Sequence, residues 1–173
     1  KLGTFRRILS SPIAKSESLT GKMVPNLLTV LLQIVVIFAV GLLVLPLMGL
    51  ERMSLGRDPV ALVAVSLLVA LCSTSLGVLI AGLARTEGQI GGLATVTLWV
   101  MGAVAGAFIP QFFLGEFLGT VGKAVPQYWA ILAFTNVMVR GQSLSQVLPQ
   151  LGVLAAFTTA FFAIGIWRFE FDA

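Results

Sequence analysis

The side chains that do most protein chemistry are scarce here. Histidine is absent and Cys72 is the lone cysteine, which removes Ser-His-Asp and Cys-His catalysis, a disulfide framework and any Cys/His zinc site. Two Gly-Lys pairs could open a phosphate-binding loop, in which G-x-x-x-x-G-K-(S/T) wraps backbone N–H groups around a phosphate. Neither fits. Gly21-Lys22 is followed by Met23 and has Ser16 where the first glycine belongs, while Gly122-Lys123 is followed by Ala124 and has Phe117 there. The expectation is therefore a chain with no catalytic residue, no metal site and no cofactor of its own.

The polar groups that remain within long apolar stretches include Thr29, Gln33, Ser66, Ser73, Thr74, Ser75, Thr95 and Thr97. In a membrane helix such groups bond a backbone carbonyl or a neighbouring helix, contributing about 0.6 kcal/mol each, and that is their expected role ahead of substrate binding. Cys72 is expected to act as a small buried apolar residue. No Asp, Glu, Lys or Arg falls inside these stretches. Carriers driven by protons or sodium place an ionisable group at membrane depth to hold the coupling ion, so energy for any transport here must come from elsewhere.

The elements that position these residues follow from composition. The chain has 173 residues, of which 58% are hydrophobic and 10% charged, against roughly 25% charged in soluble domains. Mean hydropathy is +1.03. This is a membrane protein, all-α, and not a soluble enzyme domain, a disordered chain or a collagen. The 18 glycines suit helices packed closely in lipid. A sequence pI of about 9.9 would fit a nucleic-acid partner, but Lys1, Arg6, Arg7, Lys15 and Lys22 cluster ahead of the first apolar stretch. That clustering marks a cytoplasmic flank instead. The opening Lys1, with no signal-peptide pattern after it, implies a fragment that lacks its start.

Four uncharged spans are expected, at about residues 24–48, 59–84, 90–109 and 148–167, because a helix of about 20 residues crosses the roughly 30 Å hydrocarbon layer. Pro25 and Gly21 are expected to turn the chain into the first span, and Pro46 to sit where a kink is tolerable. Burying Arg or Asp at mid-membrane costs about 2.5–3.5 kcal/mol, so Arg85 and Glu87 mark a membrane face between the second and third spans. With four crossings both ends share one side. That side collects the N-terminal cations, Arg85 and Arg168, against Arg52, Arg57, Lys123 and Arg140 opposite, and the excess puts both ends in the cytoplasm. Between the last two spans, 110–147 is broken by Glu116, Lys123 and Arg140, and Val125–Val139 is apolar but only half a bilayer long. An interfacial or re-entrant segment is expected, with Tyr128 and Trp129 beside Pro126 at the headgroup level. GxxxG pairs occur at Gly88/Gly92, Gly102/Gly106 and Gly115/Gly119, which makes the third span the expected tightly packed helix.

Residues 1–23 form an expected cytoplasmic amphipathic segment. Leu2, Phe5, Leu9 and Ile13 make one apolar stripe at helical spacing, with Arg6, Arg7, Ser10 and Lys15 elsewhere and a break near Pro12. Periodicity alone leaves two uses open. One is an interfacial anchor whose arginines meet anionic membrane lipid; the other is a docking helix for a cytoplasmic partner.

The run Gly3-Thr4-Phe5-Arg6-Arg7-Ile8-Leu9-Ser10-Ser11-Pro12-Ile13, followed by Gly21-Lys22 and a span carrying Gln33 and Gly41, resembles the membrane (permease) subunits of type-2 ATP-binding-cassette exporters. So do Gly106-Ala107-Phe108-Ile109-Pro110, Val125-Pro126-Gln127-Tyr128-Trp129 and Arg140-Gly141 later in the chain. The order of these loose motifs carries the resemblance, which covers nearly the whole chain. It implies the C-terminal four-span portion of a six-span subunit. Gly3, Thr4, Phe5, Arg6, Arg7, Leu9, Ser10, Pro12 and Ile13 would form a coupling helix seated in the ATPase subunit. Pro110, Phe112, Phe113, Pro126, Tyr128 and Trp129 would belong to a re-entrant outer gate, and Gly88, Gly92, Gly102 and Gly106 to helix packing. The resemblance further implies a homodimer or heterodimer of membrane subunits in the cell (inner) membrane, with ATP and Mg bound by a partner ATPase. A hydrophobic, drug-like, lipid or glycan substrate would be exported. The rival expectation is a non-transport membrane anchoring or assembly subunit.

Overall fold

The computed structural model describes residues 15–84, 86–108 and 115–168. The regular structure among these residues is helical, with no strand among them, in agreement with the expected all-α bundle. Helix α1 runs Lys15–Ala39, passes through a π-helical turn at Val40–Val44 and closes with one α-helical turn at Leu45–Leu47. Then come α2 (Pro59–Leu83), α3 (Glu87–Val104), α4 (Gly115–Gly122), α5 (Pro126–Met138) and α6 (Leu144–Arg168). Three helices, Met23–Leu47, Pro59–Leu83 and Leu144–Arg168, are each 25 residues and apolar enough to cross a membrane. Helix α3 has 18 residues, about 27 Å at 1.5 Å per residue, slightly under the hydrocarbon thickness.

Chain turns are set by caps. The turn expected at Gly21 and Pro25 is not there: α1 is continuous through both. One turn on, Thr29 Oγ1 donates to the Pro25 carbonyl at 2.8 Å, the bond to the carbonyl four residues back that a hydroxyl makes within a helix. Pro46 acts where anticipated. Lacking an N–H, it leaves carbonyls one turn back without their usual donor; the helix widens into the π turn, with Leu45 N–H reaching Val40 O, and the Gly41 carbonyl accepts from Met53 N at 3.3 Å. Gly49, at φ +76°, then ends α1 with a Schellman pair, Gly49 N to Pro46 O and Leu50 N to Leu45 O.

The third span is the one that departs most from expectation. Gly106 is not part of α3. It sits just beyond the helix at φ +82°, with Gly106 N bonded to Ala103 O and Ala107 N to Gly102 O, the same Schellman geometry. A left-handed residue cannot extend the helix, so α3 stops at Val104 and Gly102/Gly106 is no helix-face pair. Gly88, Gly92 and Gly119 face open space, with nothing within 4 Å of where a Cβ would stand.

Within the chain the tight pair is instead α2 with α6, which run parallel. At one end Ala61, Leu62 and Val65 of α2 and Val147 of α6 enclose Ala133 and Val137 of α5. At the other end Gly82 and Gly165 meet backbone to backbone: a Cβ on Gly82 would lie 2.8 Å from Gly165 O, and one on Gly165 would lie 2.9 Å from Leu79 N. Small residues at a crossing let dispersion contacts accumulate where lipid offers no hydrophobic gain. Helix α2 is the central element, with 44% of its apolar window buried, against 6% for α1 and 11% for α6. Leu28, Leu32, Val35 and Ile37 of α1 are among the exposed apolar side chains, as lipid-facing residues would be.

Candidate functional site

The sequence-selected residues divide into those the structure places and those it does not. Gly3–Ile13, with the whole coupling stripe, and Pro110, Phe112 and Phe113 lie outside the described residues. Pro126, Tyr128 and Trp129 are described, and they come together with groups that sequence reasoning passed over.

The end of the bundle where α2 and α6 begin is held by one carboxylate. Asp58 is the N-cap of α2: its Oδ1 accepts from Val60 N and Ala61 N, both at 3.0 Å. Its Oδ2 accepts from Leu144 N, at the start of α6, at 2.9 Å. One side chain thus satisfies donors at two helix N-termini, where partial positive charge favours an anion. The Leu144 N–H, then those of Ala61 and Val60, hold the carboxyl below its ordinary pKa of 3.8, against a smaller upward push from burial. Ser143 and Gln146 add half a capping box, with Ser143 N donating to Gln146 Oε1 at 3.0 Å. That S-x-x-Q spacing was the available signal that the last helix begins at Leu144, ahead of the expected 148.

The loop between α1 and α2 closes over this end. Met53 packs where Gly41 has no side chain, and Gly56, at φ +80°, lies directly on the Val137 carbonyl of α5. Beside it Arg140 Nη1 donates to Asn136 Oδ1 at 3.0 Å, and Asn136 O accepts from Gln142 N at 2.9 Å. Asn136 is buried although polar; the Arg140 bond satisfies its side-chain oxygen and the Gln142 bond its main-chain carbonyl.

Helices α4 and α5 are the short pair expected between the last two spans. Helix α5 is 13 residues, too short to cross, and it is wedged among α2, α6 and α3. Phe134 meets Phe38 of α1 edge to face, centroids 6.1 Å apart. Pro126 is at its first position, where the missing N–H costs nothing. Tyr128 lies against Gly122, whose own Cα faces Val104 O, and Trp129 Nε1 donates to Lys123 O at 2.9 Å. The two rings contact each other at 5.4 Å. Both are half-buried, so the pair pins the α4–α5 turn to the end of α3.

Beneath α5, and midway along α2, is a half-open cavity of about 290 Å³ bounded by α1, α2, α3, α5 and α6. Cys72, Leu76, Pro126 and Leu154 are its buried walls; Gln33 and Ser73 stand exposed at its mouth. Gln127 projects into it. The amide nitrogen of Gln127 reaches Met101 Sδ at 3.7 Å, a weak interaction, and its Oε1 is buried with no hydrogen-bond partner. A neutral polar atom left so costs about 1–3 kcal/mol. Three of the polar groups in the spans behave as expected: Thr29, Thr74 and Thr95 each donate to the carbonyl four residues back. Cys72 is buried, also as expected. Ser66 Oγ is buried without a partner. No group of three or more His, Cys, Asp or Glu side chains converges among the described residues.

Comparison with known proteins gives the arrangement its context. The family model described as "ABC-2 family transporter protein" matches residues 1–167. The chain is 27% identical over 168 residues to the linearmycin resistance permease protein LnrN of Bacillus subtilis (strain 168), covering 96% of this chain and 41% of that protein. It is 25% identical over 178 residues to the inner membrane transport permease YhhJ of Escherichia coli (strain K12), covering 97% of this chain and 44% of that one. The chain therefore spans less than half the length of these curated relatives. No solved structure matches it.

Proposed function

This chain belongs to the ABC-2 family of transporter proteins, and from that premise we propose that it is part of the membrane subunit of an ATP-driven exporter. The observation that carries the reading is the extent of the family match, residues 1–167, which takes in both the segment ahead of α1 and the short helical pair before α6. A relative named for linearmycin resistance supports outward transport of a hydrophobic, drug-like, lipid or glycan molecule, since removal from the cell confers resistance. The relative named as an inner membrane permease supports placement in the inner membrane, and the excess of Lys and Arg ahead of α1 supports cytoplasmic placement of both ends of this segment.

In this reading two membrane subunits work with two ATPase subunits, which bind ATP and Mg. ATP binding draws the ATPases together. The coupling segment, seated through Phe5, Leu9, Pro12 and Ile13 and steered by Arg6 and Arg7, passes that movement to α1. The movement reaches α2 through their antiparallel contact and α6 through the Gly82/Gly165 crossing. At the opposite end α4 and α5, with Pro110, Phe112 and Phe113 ahead of them, form the outer gate, and the Asp58 clasp keeps the starts of α2 and α6 together as the gate moves. Helix α3 completes a fourth crossing, and Gly88 and Gly92, open within this chain, are free to meet another membrane helix.

The test is Phe5→Asp combined with Leu9→Asp in the full-length protein with its ATPase. Membrane insertion should be intact while ATPase stimulation and export are lost. Export that persists in the double variant removes the coupling assignment.

A further inference from the structure

The cavity under α5 presents a combination that neither packing nor hydration explains. Its walls are mostly apolar, helices of this chain alone suffice to form it, and among the described residues it contains one buried hydrogen-bond acceptor, Gln127 Oε1, with nothing to accept from. Buried amide oxygens are almost always paired. A water molecule needs two to four polar partners to be held. Besides Gln127, the lining side chains able to hydrogen-bond are Gln33 and Ser73, both exposed, and the weakly bonding Cys72 thiol, so a water bonded to Gln127 would leave most of its other valences facing hydrocarbon. No Asp, Glu, Lys or Arg among the described residues lines the space, which excludes a charged guest on desolvation grounds. The volume, about 290 Å³, is at the small end of ligand pockets, which run from about 300 Å³.

We propose that this cavity is an intrasubunit binding site for a neutral amphiphile, an apolar chain bearing a single O–H or N–H group that donates to Gln127 Oε1 while the chain lies along Leu76 and Leu154. The open side, between exposed Gln33 and Ser73, lets such a molecule enter from the bilayer or leave toward it. The site is a property of these helices and stands whether or not the chain exports anything, so its test does not read transport.

The experiment uses the full-length protein in nanodiscs of phosphatidylcholine, a lipid whose headgroup has no O–H or N–H donor. The probe is dodecanol carrying an alkyl diazirine, with the same diazirine-bearing chain lacking the hydroxyl as its control; adducts are mapped by mass spectrometry after illumination. The expected result is labelling of peptides containing Leu76, Ala130 and Leu154, suppressed by excess dodecanol. The alkane control should label them roughly fivefold less, the worth of about one neutral hydrogen bond. Gln127→Met, close in shape but without the acceptor, should remove the difference between the two probes. Competition by monooleoylglycerol, a bilayer amphiphile, points to a membrane lipid as the natural guest; competition by dodecanol alone points to a free solute. Equal labelling by alcohol and alkane in the unsubstituted protein overturns the proposal, a comparison that needs no variant to fold. So does labelling confined to lipid-facing residues such as Leu28 and Val35.

Discussion

The contact between Gly82 and Gly165 makes a quantitative claim about one methyl group. Gly165→Ala would place a Cβ 2.9 Å from Leu79 N, 3.0 Å from Val78 Cγ1 and 3.1 Å from Leu79 Cα. Two of those three atoms are backbone of the facing helix, so relief requires α2 and α6 to separate along their whole parallel contact. Overpacking of this sort costs about 1–3 kcal/mol. Replacing a mid-helix glycine by alanine also returns about 0.8–1.0 kcal/mol of helix propensity. The net change for Gly165→Ala is therefore small to moderate, and the informative quantity is its contrast with Gly152→Ala on the same helix, where nothing lies within 4 Å and only the propensity gain acts. The two variants should differ by about 1–3 kcal/mol, with Gly152→Ala raising the thermal midpoint of detergent-solubilised protein and Gly165→Ala lowering it relative to that reference. Gly82→Ala strains the same crossing through Gly165 O at 2.8 Å. Once one methyl has parted the helices the second meets less resistance, so the double variant should cost less than the two singles combined, by about 0.5–3 kcal/mol. Equal midpoints for Gly165→Ala and Gly152→Ala, or strict additivity at 82 and 165, would refute the close-crossing argument.

Further outcomes follow from the same geometry. Asp58→Ala should speed amide hydrogen exchange at Val60, Ala61 and Leu144 together, because one carboxylate serves all three; a change at the α2 amides alone would separate the two caps. The Asp58 carboxyl is held below 3.8 in the folded state, so its contribution is fully present above pH 3.8 and is lost as pH falls through the lowered folded value. Protection of the Leu144 amide should accordingly persist at mildly acidic pH and fade only in stronger acid. Gly106→Ala forces an L side chain into the left-handed region, at about 1–2 kcal/mol, and should loosen the Trp99–Phe108 stack, now at 5.0 Å, visible as altered tryptophan emission. Trp129→Phe keeps the ring and loses the donor to Lys123 O, with an expected cost of about 0.5–1.5 kcal/mol in thermal stability; a loss several times larger would mean the indole does more than close the α4–α5 turn.

What could be foreseen followed physical lines. Apolar runs free of charge announce membrane helices, since the price of burying Arg85 or Asp58 is high and the number of residues needed to cross is fixed. The first apolar helix, α2 and α6 were legible in this way, and the half-length stretch at Val125–Val139 was legible as an interfacial or re-entrant segment and not as a full crossing. Pairing was not legible. Glycine spacing identifies a helix face but not its neighbour, so Gly88/Gly92 drew attention while the real contact joined Gly82 to Gly165, two isolated glycines far apart in the chain. Gly106 looked like half of a motif because its left-handed φ is invisible in composition. The second role of Asp58 depended on where α6 begins, a long-range fact, although the Ser143-x-x-Gln146 box announced that start locally. The buried acceptor of Gln127 needed five helices in place before it could be recognised as unmatched.

The Asp58 clasp also orders events in time. Its two halves, Asp58 and Leu144, are 86 residues apart, and a ribosome adding about 5–20 residues each second needs roughly 4–17 s to deliver the second after the first. Throughout that interval α2 is already synthesised with the face it will later hide, Ala61, Val65 and Ala70, turned to whatever the insertion machinery or the bilayer provides. The nascent chain is therefore most vulnerable between the emergence of its central helix and that of its last one, and a factor that shelters newborn membrane segments would have its longest engagement there.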